Sequence, residues 1–114
     1  MVSDEYSFNK ILNKIIEKSS FTKRNVEIML SKSHRQLQIS SGAYYRQKSQ
    51  IKQKTESIIY SLVLLQALNM LSKESLYSME QMSESVSVIL DSDVSEESDI
   101  MRLLDEIVKR SVVM

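Results

Sequence analysis

Cysteine, proline and tryptophan are absent from the 114-residue chain, and Gly42 is its single glycine. Without cysteine there are no disulfides and no thiolate metal sites, a composition that fits a reducing interior. Without proline, and with one glycine, almost nothing interrupts a helix, while Leu, Ile, Lys, Glu and Gln favour one. The expected fold class is therefore all-α. A long hydrophobic run is also missing. The most apolar stretch, residues 58–71, covers fourteen positions broken by Ser61, Gln66 and Asn69, whereas a membrane-spanning helix takes roughly 20. The first residues, Met1-Val2-Ser3-Asp4-Glu5, are acidic where a secretory leader is basic. A soluble, cytoplasmic protein of one domain is expected, since this length builds one core and not two.

What the chain does have is charge sorted by position. Residues 1–55 carry eleven lysines and arginines against four acids, a net charge of +7. Residues 56–114 carry four against eleven, a net charge of −7. The neutral total conceals a strongly dipolar chain. Such asymmetry points to a basic half that meets a polyanion and an acidic half with another task.

Hydrophobic periodicity places about five helices. Phe8, Ile11, Leu12, Ile15 and Ile16 follow helical spacing and predict a first helix over residues 5–18. Thr22 is a candidate cap for a second, over residues 23–32, with Val26, Met29 and Leu30 inward. Ser33 heads a very short helix carrying Leu37. Ile39-Ser40-Ser41-Gly42 reads as a turn and helix start, after which no breaker appears before Ser72. One helix of about thirty residues, roughly 45 Å long, is allowed there, basic at first and apolar afterwards, with a change of character at 55–57 that admits a kink. Ser72 introduces a fourth helix, residues 73–90, with Leu76, Met79, Val86 and Ile89 inward. Asp91-Ser92-Asp93-Val94-Ser95 reads as a loop. Ser95 caps a fifth helix with acids in its first turn and Lys109 and Arg110 in its last, as the helix dipole prefers. Ile100, Leu103, Leu104, Ile107 and Val108 form its stripe.

Two segments then stand out: Phe21-Thr22-Lys23-Arg24 followed by Glu27-Ile28-Met29-Leu30, and Ile39-Ser40-Ser41-Gly42-Ala43-Tyr44. They resemble the helix-turn-helix of sigma-region-4 and LuxR-type domains, where L-T-x-R-x-x-E-I-L opens one helix and I-S-x-G-T-V opens the recognition helix. Small archaeal DNA-binding regulators share the flavour. The resemblance covers about a third of the chain. It departs where the scaffold helix belongs, since residues 33–38 supply barely one and a half turns. It implies a duplex-DNA partner and major-groove docking of the long helix.

The residue chemistry points the same way. Arg46 is expected to fork onto guanine, Gln47 and Gln50 to pair adenine, and the Ala43 methyl to touch thymine. Ser41 and the helix start offer backbone amides to phosphate. Lys48, Lys52 and Lys54 suit phosphates, with Lys23, Arg24, Lys32 and Arg35 flanking. Tyr44, Ile51 and Ile58 are spaced by seven, so Tyr44 is expected inward and Tyr45 outward. A basic helix face is more often merely solvated, and the separation of +7 from −7 is what favours a nucleic-acid reading.

Residues 58–71 are apolar on too many sides for one internal seam. A homodimer through Ile59, Leu62, Leu65, Leu68, Leu104 and Ile107 is expected, its two-fold axis implying a palindromic site. A monomeric bundle enclosing residues 58–71 is the alternative. Catalysis has no motif: there is no Gly-rich phosphate loop and no nucleophile elbow. His34, the lone histidine, has no companions for a metal, and the 91–96 stretch lacks the glycine and final glutamate of a calcium loop. No enzyme activity, metal, cofactor or small-molecule substrate is expected. RNA binding has less support, with no aromatic sheet or GxxG clamp. The sequence supports a small DNA-binding transcriptional regulator first. An interaction or adaptor protein whose basic half binds an acidic protein surface stands second.

Overall fold

Thr22 starts the second helix. Its side chain accepts a hydrogen bond from the Asn25 amide at 3.1 Å, and Asn25 Oδ1 accepts one from the Thr22 amide at 3.0 Å. The reciprocal box satisfies two donors that a helix start would otherwise leave open. The computed structural model describes residues 8–90 and 97–114, and among them lie five α-helices and one 3₁₀ turn. These are α1 (Lys10–Lys18), α2 (Lys23–Leu30), the turn His34–Leu37, α3 (Ser41–Ala67), α4 (Ser75–Leu90) and α5 (Glu97–Ser111). The described residues contain no sheet, only an isolated bridge between Leu71 and Val112. The protein is all-α.

The chain divides into two compact units, Met1–Phe8 with Asn13–Ile59, and Asn9–Leu12 with Tyr60–Met114. The boundary at residues 59 and 60 falls close to the point where the charge changes sign. In the first unit Ile28, Leu37, Tyr44 and Ile51 form the core, with Phe21 and Ile39 packed against it. The Tyr44 hydroxyl and Ser31 Oγ share a hydrogen bond of 2.8 Å, so the buried phenol keeps a polar partner. Lys54 Nζ donates to the Ser20 carbonyl at 3.0 Å and to Asn25 Oδ1 at 3.2 Å, and it lies over the Phe21 ring. That lysine ties α3 to the start of α2.

In the second unit α4 packs against α5. The Ser72 amide donates to the Ser111 carbonyl at 2.8 Å, and the Val113 amide donates to the Met70 carbonyl at 2.7 Å. These bonds fasten the segment after α3 to the end of α5. Met101, Ser75 and Ser111 are buried there.

Several expectations change. Of the first-helix stripe Ile11, Leu12 and Ile16 are buried and Ile15 is half-buried, but α1 begins only at Lys10, so Phe8 precedes the helix; residues 5–7 lie outside the described ones. α2 stops at Leu30, not 32, because Ser31 is extended. Its buried residues are Glu27 and Ile28, while Met29 and Leu30 are about half exposed. Eight residues make about two turns, so a one-residue error of phase turns the face by about 100°. The short helix is a 3₁₀ turn without a side-chain cap from Ser33. Its tight exit comes from Gln38, at φ 53 and ψ 41 in the left-handed region. Gly42 has no positive φ and belongs to α3, so it makes no turn. α3 is continuous through residues 55–57. α4 begins at Ser75, two residues after the expected start, and Leu76 points out, 56% exposed. On α5 Met101 is buried whereas Leu103 and Val108 are exposed. The 91–95 loop and the Ser95 cap lie outside the described residues, as does the Ile89 side chain.

Candidate nucleic-acid interface

Between residues 19 and 55 there is one acid, Glu27, and it is buried. Arg24 reaches it at 3.6 Å from one turn earlier in α2, leaving its own side chain 43% exposed. Lys23, Arg24, Lys32, Arg35, Arg46, Lys48 and Lys52 are all exposed. Residues 19–55 therefore expose cations and no acid, the nearest exposed acids being Glu17 before the stretch and Glu56 one turn after Lys52 on α3. All of these side chains belong to the first unit.

α3 supplies the central part. Ser40 opens it: Ser40 Oγ accepts from the Ala43 amide at 3.1 Å, and the Ser40 carbonyl accepts from the Tyr44 amide at 3.0 Å. The amides of Ser41 and Gly42, the first of the helix, have no partner inside it. A 27-residue helix adds the positive end of its dipole at the same place. An anion is favoured here by geometry and by charge.

Tyr44 is the anchor that sets the phase. It is 1% exposed, and its ring meets the edges of His34 and Tyr45 at 6.4 and 5.3 Å between centroids. His34 Nδ1 lies 3.1 Å from the Ile39 carbonyl, so the histidine braces the turn. With Tyr44, Ile51 and Lys54 on the inner side, successive residues step about 100° around the axis. Gln47 and Ala43 fall on the inner flank and are half-buried. They are poorly placed as base readers. Arg46 and Gln50 lie on one outer flank, Lys48 and Lys52 on the other, all exposed. Lys48 Nζ also sits 5.4 Å from the Tyr44 ring centre. The line between the flanks is Tyr45, Ser49 and Gln53, each exposed. Ser49 and Gln53 are missing from the sequence-derived set. The spacing of Tyr44, Ile51 and Ile58 already placed them outward.

The remaining expected residues scatter. Arg35 sits on the 3₁₀ turn and Ser41 on the first turn of α3, both exposed. Lys23 Nζ lies 5.9 Å from the Phe8 ring centre. Lys54, read from sequence as a phosphate contact, is occupied by Ser20 and Asn25 instead. Of the expected dimer residues, Leu62, Leu65, Leu104 and Ile107 are half-buried within their own chain, while Ile59 and Leu68 are exposed.

Among the described residues no group of three or more His, Asp or Glu is arranged to hold a metal ion. No helix among them is long and apolar enough to cross a membrane. No family model, curated protein or solved structure matches the chain.

Proposed function

We propose that this protein binds duplex DNA through α2, the 3₁₀ turn and the first half of α3, and acts in the cytoplasm as a small transcriptional regulator without a cofactor. One observation carries the reading: seven exposed lysines and arginines lie between residues 19 and 55, where the single acid, Glu27, is buried against Arg24, and exposed acids stand only at the ends of that stretch, Glu17 and Glu56. Phosphate contacts by such side chains release counterions and dominate affinity. The order of α2, turn and α3 supports the helix-turn-helix likeness, with a 3₁₀ turn standing where that motif has its scaffold helix. Tyr45, Ser49 and Gln53 would face the groove floor, and the two flanks of α3 would meet the phosphate walls.

The test is retention of random and genomic-fragment duplexes by the full chain across a salt series. Retention of a minority of fragments at physiological salt is the expected result. Weak, uniform binding that disappears with salt overturns the regulator reading. The adaptor reading, in which the same cations meet an acidic protein surface, then takes its place.

A further inference from the structure

The second half of α3 leaves its outer face bare. Tyr60, Val63, Leu64 and, one residue past the end of α3, Leu68 are 55 to 77% exposed, and Ala67 is exposed between them. At about 100° per residue these five fall on one side of the helix, opposite Ile58, Leu62 and Leu65, which are half-buried. No charged residue occurs between Glu56 and Lys73. Apolar side chains exposed together like these form a patch comparable to the largest that a typical monomer shows, a few hundred Å².

We propose that a second copy of this chain covers this face, with the two α3 helices antiparallel and crossing near Leu64. An uncharged apolar ridge is complementary to itself, because rows three and four residues apart on one helix fit the grooves of an identical one. It therefore satisfies the demand of a two-fold contact, in which the same patch serves on both sides. Orientation follows from charge. Parallel pairing lines up Arg46, Lys48 and Lys52 of α3 with their own copies and aligns the two helix dipoles. Antiparallel pairing sends the cations to opposite ends and opposes the dipoles. Tyr60 then lies near Leu68 of the second copy, and Leu64 near its own equivalent. Of the interface expected from sequence this face keeps Leu68 and leaves out Ile59 and the half-buried Leu62, Leu65, Leu104 and Ile107. It stands independently of the DNA reading.

Sedimentation equilibrium of the full chain is expected to give a dimer at micromolar concentration. Leu64→Glu is expected to give a monomer there with an unchanged far-ultraviolet circular dichroism spectrum, since the position is exposed in the single chain. A monomeric wild type, or a Leu64→Glu variant that dimerises as well as the wild type, overturns the proposal. Because the chain contains no cysteine, single-cysteine variants report orientation without disturbing the charge. An oxidised mixture of Tyr60→Cys and Leu68→Cys is expected to form mixed disulfide dimers in excess over the dimers that either variant forms alone. Self-linking by each variant without mixed dimers overturns the antiparallel arrangement. None of these readouts involves DNA, so a failure of DNA binding leaves them interpretable.

Discussion

At the scale of single residues, the chain places its conformational freedom away from where the backbone uses it. Gln38 and Asn69 take positive φ, at 53 and 59, whereas Gly42 does not. A left-handed residue with a side chain is strained by roughly 1–2 kcal/mol. Gln38→Gly should therefore stabilise the protein by about 1 kcal/mol, the relief of strain being partly offset by the added freedom of the unfolded chain. A Cβ at Gly42 meets nothing within 4 Å. Gly42→Ala should raise stability by about 0.5–1 kcal/mol through helix propensity, read as a higher Tm. If DNA affinity falls while Tm rises, the glycine serves close approach of a phosphate to the first amides of α3. Lys54 is the opposite case, a cation whose role is structural. Lys54→Met should destabilise the fold by about 1–2 kcal/mol as Ser20 and Asn25 lose its hydrogen bonds, with little effect on the salt dependence of DNA binding.

At the scale of elements, α3 separates two jobs by angle. Its inner side holds Tyr44, Ile51 and the half-buried Ile58, while its outer side is polar at first and apolar later. Arg46→Ala and Lys52→Ala should each reduce the slope of log affinity against log salt by about 1, the signature of one phosphate contact. Gln47→Ala should leave both slope and sequence preference unchanged, since that side chain lies on the inner flank. Gln53→Ala should relax sequence preference while keeping the slope. A preference profile from randomised duplexes distinguishes these outcomes.

At the scale of the whole molecule, the two units differ in what they expose. The first exposes most of the cations together with a few apolar side chains such as Met29 and Leu30, and the second exposes more apolar ones, among them Tyr60, Val63, Leu64 and Leu68. A protein that buries the latter against its own copy has a folding equilibrium coupled to association. Its Tm should rise with protein concentration, and Leu64→Glu should abolish that rise. A Tm independent of concentration in the wild type places the apolar face in water, against the dimer.

Much of this was legible in the residues because helical period, capping chemistry and charge are local. The paucity of glycine and proline determined an all-helical chain. The Tyr44, Ile51, Ile58 spacing determined which tyrosine is buried, and Thr22 determined where α2 begins. The sorting of charge determined which half is basic. Tertiary structure decided what depends on neighbours distant in sequence. Lys54 is drawn from solvent to the start of α2, a carbonyl 34 residues away. The phase of two-turn α2 is settled by the packing of Ile28 against Leu37, Tyr44 and Ile51, because so short a stripe fits two faces almost equally well. Residues 58–71 are apolar on nearly every side, so periodicity alone could not say which side the chain covers itself and which it leaves exposed. Only the packed chain separates Leu62 and Leu65 from Tyr60 and Leu64, because burial belongs to the surroundings and not to the side chain.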